Sequence, residues 1–285
     1  MPRAARLAAL LCTTVLAGST GSLAATGPDA VVPLARAHAH NDYLHSRPLL
    51  DALAAGFTSI EADVWLVDGE LLVAHDRQEA RPGRTVRALY LEPLRRIAGG
   101  QGGRVYRGYS HPVILLVDIK SEAEATYRVL HEQLRAYESL LRAPAPGGGA
   151  AALLVVVSGN RPRDLMLGEP GRLAGYDGRV TDLTGPLPAT FMPLASDHWM
   201  RHFTWMGVGP MPDVERRALR QIVAAAHARG QRVRFWATPD SGPGAEAVWT
   251  ELLRGGVDLI NTDRLAALWE FLLRHDPSPS QPVLK

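Results

Sequence analysis

Short apolar runs recur along the chain, and stretches with helical spacing separate several of them. The runs read as strands at Val31–Ala39, Thr58–Leu66, Leu71–His75, Pro112–Ile119, Leu153–Ser158, Phe191–Ser196, Arg232–Ala237 and Val257–Asn261. Between them, Leu49–Ala55 ends at Gly56, Ala123–Leu141 ends near Pro144, Val214–Ala228 ends at Gly230, and Ala245–Leu253 ends at Gly255-Gly256. Glycine just beyond a periodic stretch is the expected stop of a helix. Leu265–Arg274 reads as the last helix and Pro277–Lys285 as a frayed tail. Alternating strands and helices predict an α/β protein with a parallel sheet under a helical cover. Roughly eight strands in about 250 residues fit a closed (β/α)8 barrel of the TIM type better than an open sheet. The segment from Gly159 to Pro188 has little periodicity and is expected to hold the irregular units.

Polar residues gather at the C-terminal ends of the predicted strands. They are His38 and His40, Glu61 and Asp63, His75 and Asp76, Asp118 and Lys120, Ser158 and Asn160, Ser196 and Asp197, and Asn261 and Asp263. One polar strand end is ordinarily a loop cap. Convergence of so many on one rim is where a barrel builds an active site.

Composition narrows the class. Hydrophobic residues are 46% and charged residues 21%, the balance of an ordinary globular protein. The formal charge is +2 and the basic residues form no long run, which argues against a nucleic-acid partner. The start reads as a secretion signal over residues 1–24: Arg3 and Arg6, an apolar run from Leu7 to Gly18, then Ser22-Leu23-Ala24. That run is shorter than the about 20 apolar residues that span a bilayer. Removing it takes away Arg3, Arg6 and Cys12, the only cysteine, so the formal charge becomes zero. Residues 25–285 are then one exported domain held by its core alone, expected as a monomer.

In Ile60-Glu61-Ala62-Asp63-Val64, the two acids are i and i+2 and share one face of a strand. Two carboxylates that close repel unless a cation or proton lies between them. Hard oxygen ligands select Mg²⁺ or Ca²⁺. The bland alternative is a solvated pair, against which the flanking Ile60, Val64 and Trp65 argue. In Leu116-Val117-Asp118-Ile119-Lys120, Asp118 is a third candidate ligand, and Lys120 would either neutralise a phosphate oxygen or pair internally with Asp118. Histidines end two strands, in His38-Ala39-His40 and at His75; imidazole titrates near neutrality and suits general acid and base roles.

Taken in order, these motifs resemble the phospholipase-C-like phosphodiesterases, in the glycerophosphodiester phosphodiesterase branch. The most similar group is that related to the altered-inheritance-of-mitochondria proteins. The resemblance is carried by His38-Ala39-His40-Asn41-Asp42-Tyr43, Ser59-Ile60-Glu61-Ala62-Asp63-Val64, Leu72-Val73-Ala74-His75-Asp76 and Val117-Asp118-Ile119-Lys120. It continues through Arg234-Phe235-Trp236-Ala237-Thr238 and Gly256-Val257-Asp258-Leu259-Ile260-Asn261-Thr262-Asp263. It implies a divalent cation, Mg²⁺ or Ca²⁺, on Glu61, Asp63 and Asp118. It implies catalytic histidines at His40 and His75, with His38 an alternative for the first, and substrate contacts from Lys120, Asn41 and Trp236. Two departures stand out. The third acid is Asp118 where the family usually has Glu, and His45-Ser46-Arg47-Pro48 replaces the usual Glu-Asn pair.

The expected activity is hydrolysis of a glycerophosphodiester or a phospholipid headgroup. A cyclising phospholipase of C or D type is the nearest alternative. A non-catalytic secreted barrel that only binds its ligand is the alternative from another class; such a relic should have lost at least one of the five site residues, and none is lost.

Overall fold

A computed structural model describes residues 31–141 and 151–284. The expected signal, Cys12 and the Gly147-Gly148-Gly149 loop lie outside the described residues. Nine strands form one sheet: β1 Leu34–Ala39, β2 Phe57–Val67, β3 Glu70–Val73, β4 Val113–Ile119, β5 Leu153–Gly159, β6 Ala174–Gly178, β7 Leu194–His198, β8 Arg232–Trp236 and β9 Leu259–Thr262. Eight of them run parallel in the order β1-β2-β4-β5-β6-β7-β8-β9, and β9 pairs back to β1. The ring is therefore closed, as the alternation predicted. The helices are α1 Leu50–Ala54, α2 Glu92–Gly100, α3 Ala123–Arg135, α4 Glu138–Leu141, α5 Arg163–Gly168, α6 Asp213–His227, α7 Pro243–Gly255 and α8 Leu265–His275.

The inward face of each strand changes character along its length. A small apolar cluster of Ile114, Leu116, Val156, Leu194 and Leu259 fills the barrel low down. Two residues further along the same faces stand Asp118, Ser158, Ser196 and Asn261. The outward faces join the helices in the main core, where Trp199, Trp249 and Phe235 are fully or almost fully buried. The barrel is thus dry at its floor and polar at its C-terminal rim.

β2 continues past the wall and folds back as β3 through Asp68 and Gly69, at φ 49° and 83°. Two successive left-handed residues make the turn that matches strand twist, so the Asp-Gly pair sets this hairpin. The return places Ala74 on Asp63, N–H to carbonyl at 3.2 Å, and His75 beside it.

The structure differs from the sequence reading in four places, one of them the tail expected to fray: Ala35 N donates to Pro279 O at 2.7 Å and Ser280 Oγ to Pro33 O at 2.8 Å. β6, absent from the reading, is Ala174-Gly175-Tyr176-Asp177-Gly178, poor in β-branched residues and rich in glycine. It is a strand because β5 and β7 supply its ladder, and its glycines because Pro193 and Met192 press where side chains would stand. The expected helix Ala123–Leu141 breaks after Arg135. Tyr137 turns inward there and donates to Glu92 at 2.6 Å. Finally, α2 and α5 were not anticipated at all.

Candidate active site

The register sets the site. Asp63 on β2 lies level with Asp118 on β4, and Glu61 is two residues below Asp63 on the same face. Ligand oxygens of Glu61, Asp63 and Asp118 all lie within 4.8 Å of one another. Asp63 Oδ1 is out of water with no hydrogen-bond partner among the described residues, and Asp118 Oδ1 has only the Lys120 ammonium near it, at 3.3 Å. Buried polar atoms are normally bonded, so a missing partner calls for an explanation, and a cation is one. Three hard oxygens in a close group fit Mg²⁺ or Ca²⁺.

The charges around the cluster are arranged unequally. Glu61 accepts from Arg234 Nη2 and faces His38 Nε2, both at 2.9 Å. Burial alone would raise its pKa, but Arg234 and His38 outweigh burial and hold Glu61 well below the usual carboxylate range. Burial and the Glu61 charge push Asp63 and Asp118 the other way, Asp118 up to about 6. Lys120 opposes this shift only in part, with Nζ 3.2 Å from Asp63 and 3.3 Å from Asp118. The internal pairing weighed for Lys120 is therefore present. The site holds more negative charge than its own cations neutralise comfortably, the electrostatic state of a cation site.

The three histidines occupy different environments. His38 is fully buried, with Nδ1 2.7 Å from Ser59 Oγ and Nε2 on Glu61. Burial, reinforced by Arg234, pushes its pKa down to about 3, so it is neutral and both nitrogens are engaged. His40 follows β1, and its side chain is 27% exposed. Its Nδ1 lies 2.7 Å from Asp263 Oδ1. Burial would lower the His40 pKa, but the Asp263 bond and the Glu61 charge outweigh it, and the net shift is upward. His75 is more open, at 57%, with Nδ1 3.0 Å from Asp63 Oδ2. No described residue bonds the Nε2 atom of His40 or of His75.

Tyr43 ties the two sides together. Its hydroxyl is 2.8 Å from both Asp63 Oδ2 and Asn41 Oδ1, and 3.2 Å from His75 Nδ1. Asn41, in the left-handed region at φ 47°, places its amide nitrogen 3.0 Å from His40 Nδ1. Asn41 thus braces the tyrosine, accepting from its hydroxyl, and its amide N–H reaches Asp263 Oδ1 at 3.5 Å. Trp236 ends β8 half-buried at the rim, its ring edge-on to His198 at 4.4 Å. Asp42 has a local role: its buried carboxylate accepts from Leu49 N at 2.6 Å and shapes the turn into α1.

The structure brings together His38, His40, Glu61, Asp63, His75, Asp118, Lys120 and Asn41 at one rim of the barrel. Sequence reasoning did not assign Tyr43, Arg234 or Asp263 to the site. All three stand in motifs already singled out, and Arg234 shares the inward face of β8 with Trp236. That inward position was a readable signal for Arg234. For Asp263, nothing local indicates a bond to a residue 223 positions away.

The AIM6-like phosphodiesterase domain family matches residues 28–170, and the glycerophosphoryl diester phosphodiesterase family matches residues 232–266. Altered inheritance of mitochondria protein 6 of Eremothecium gossypii is 31% identical over 270 residues, covering 84% of this chain and 69% of that protein. A homologue from Arthroderma benhamiae is 27% identical, with 83% of each chain covered. Among solved structures, PLC21 of L. pealei aligns with 81% of this chain and 33% of its own, at 12% identity and a TM-score of 0.45. On the family match and the Eremothecium relative, this chain belongs to the AIM6-like phosphodiesterase domain family.

Proposed function

We propose that this protein is an exported, divalent-cation-dependent phosphodiesterase. Its substrate on this reading is a glycerophosphodiester or a phospholipid headgroup, and His40 and His75 are its acid–base pair. The observation that supports it most is the matched setting of the two histidines. Each is anchored through Nδ1 to a carboxylate, Asp263 or Asp63, beside the three-acid cluster, and each keeps Nε2 unengaged by any described residue. A carboxylate on Nδ1 fixes the tautomer that presents Nε2 to substrate.

Glu61, Asp63 and Asp118 would hold the cation, which when bound offsets charge on the phosphoryl oxygens. The chain's own groups do the rest. Arg234 and His38 keep Glu61 ionised. Lys120 adds positive charge beside the phosphate. One of His40 and His75 removes a proton from the attacking hydroxyl, and the other protonates the departing oxygen. His40, rather than the enclosed His38, is the first of this pair, because both His38 nitrogens are already engaged. Export rests on the leader pattern of residues 1–24; among the described residues, no helix is long and apolar enough to cross a membrane.

Purified protein assayed on glycerophosphodiesters, phospholipids and a chromogenic phosphodiester, with Mg²⁺, Ca²⁺ or EDTA, tests the activity. Hydrolysis that EDTA abolishes and a divalent ion restores is expected; no hydrolysis of any diester would overturn the reading. Thermal melts test the ligands separately. Added Mg²⁺ or Ca²⁺ should raise Tm of the wild type and not of Asp63→Asn, and equal shifts in both would exclude this cluster as the cation site. N-terminal sequencing of protein from the periplasm or medium should begin near Ala25; an intact Met1 would remove the case for export.

A further inference from the structure

α1 has five residues, about 7.5 Å of helix at 1.5 Å per residue, so it covers only part of the barrel wall beside it. The uncovered space is a groove of about 1080 Å³ between α1, α2 and α8. That is the size of a large small-molecule pocket. Its walls are mainly apolar: Leu50, Leu53 and Ala54 from α1, Ile97 from α2, Leu265 and Trp269 from α8. Leu50 is 42% exposed in it.

The groove has a polar end and an apolar end. At the polar end stand His45, Arg47, Asp263 and Arg264. Asp263 is the carboxylate that holds His40, so the groove reaches the rim next to the candidate acid–base pair. Arg47 pairs with Asp51 at 2.8 Å. The exposed side chain of Arg264 has no partner among the described residues. His45 Nε2 is out of water without a hydrogen bond. The far end, toward Val31 and Tyr106, lies near the start of β1. A mainly apolar groove, which Arg96 and Gln101 also line, leads off from the carboxylate that holds His40 and is complementary to a long aliphatic chain whose phosphodiester head is bound at the rim.

We propose that the substrate is a phosphodiester carrying a single long aliphatic chain, and that the chain lies in the groove between α1, α2 and α8 while the phosphodiester sits at His40 and His75. This rests on the phosphodiesterase reading above and adds the class of substrate. Burying the chain selects amphiphiles over short, water-soluble diesters, since each buried methylene favours binding about fourfold and each half-buried one about twofold.

Two measurements on the exported protein test this, one of them independent of turnover. First, kcat/KM is measured on a series of monoalkyl phosphodiesters with one leaving group and chains from methyl to hexadecyl, each below its micelle concentration. It should rise about two- to fourfold per methylene until the groove is full, and Ala54→Trp, which fills the groove, should flatten the series. Second, dodecylphosphocholine, which the protein does not need to cleave, is titrated against intrinsic fluorescence. A saturable change that is lost in Trp269→Phe and in Ala54→Trp is expected, with circular dichroism showing both variants folded. A flat series together with no dodecylphosphocholine binding overturns the chain site while leaving the phosphodiesterase reading intact if the methyl ester is cleaved. Binding of dodecylphosphocholine without hydrolysis of any diester sustains the chain site and overturns the phosphodiesterase reading instead. Absent binding in a protein that light scattering shows to be dimeric would assign the groove to a second copy, and also overturns the proposal.

Discussion

Glu61 is a buried carboxylate kept charged by two neighbours, and this asymmetry organises the whole cluster. Arg234, 173 positions away, is almost as buried as Glu61 and also donates to Asn261. Breaking such a pair from one side leaves an uncompensated charge in the interior. Arg234→Met should therefore lower unfolding free energy by about 3–5 kcal/mol in urea titrations. Adding Glu61→Gln to it should restore a large part of that loss. A single variant as stable as wild type would show that water reaches Glu61 and the pair is not buried in effect. His40 gives the opposite pH sign. Its folded pKa is raised, so its pairing with Asp263 stabilises fully below the unfolded value of about 6.5 and fades as pH rises through the folded value. Asp263→Asn should thus destabilise more at pH 5 than at pH 9. The limb of the kcat/KM profile set by His40 should move to lower pH in the same variant. A destabilisation independent of pH would mean that the bond is made by neutral imidazole throughout.

At the scale of elements, the first βα unit has an unusual entry into its second strand. α1 is short, and the chain re-enters β2 through Gly56 at φ 81°. A Cβ at Gly56 would collide with the Val32 carbonyl oxygen, whereas at Gly83, also at φ 81°, nothing lies within 4 Å. The two glycines separate backbone strain from crowding. Gly83→Ala meets only the left-handed penalty of about 1–2 kcal/mol and should lower Tm by about 2–6 °C. Gly56→Ala must also move the backbone before β1, and its fall in Tm should be at least twice as large; calorimetry on the pair decides it. Equal shifts would mean that the β1 entry yields freely, and the groove beside α1 would then be a soft feature. Tyr106 argues otherwise. Its buried hydroxyl lies 2.7 Å from Phe57 O and 3.1 Å from Leu53 O, bracing the end of α1 against the start of β2.

At the scale of the molecule, the pairing of neighbouring strands sets the distance between the two histidines proposed to act together. His40 comes from the end of β1 and His75 from the hairpin after β2, and the pairing of β1 with β2 sets them on neighbouring parts of one rim. If both act on the substrate, His40→Ala and His75→Ala should each lower turnover by about 10²–10⁴-fold with unchanged metal-dependent melting. A nitrophenyl leaving group needs little protonation, so it should rescue whichever variant has lost the acid and not the one that has lost the base. His38→Ala should act differently, by loosening Glu61, and should lower stability and cation response along with rate. Near-wild-type turnover in both His40→Ala and His75→Ala would end the two-histidine scheme.

Local information in the chain was enough for the barrel and for most of the acidic and histidine positions. The period-two placement of Glu61 and Asp63, the Asp68-Gly69 turn, and polar residues repeatedly ending apolar runs are consequences of strand geometry, which acts over a few residues. Helix stops at Gly56, Gly230 and Gly255-Gly256 were legible for the same reason. β6 was not, because a glycine-rich segment has no propensity of its own and becomes a strand only when β5 and β7 offer hydrogen-bond partners. The break after Arg135 was also hidden, since Tyr137 finds its partner in Glu92, a residue 45 positions earlier. In the site, the ligand candidates could be read locally, but their electrostatics could not. Which carboxylate stays ionised, which histidine is enclosed and which is anchored by Asp263 all follow from pairs far apart in sequence and brought within 3 Å by barrel closure. Charge interactions depend on distance and burial through the fold, not on neighbourhood along the chain, so only the tertiary structure decided them.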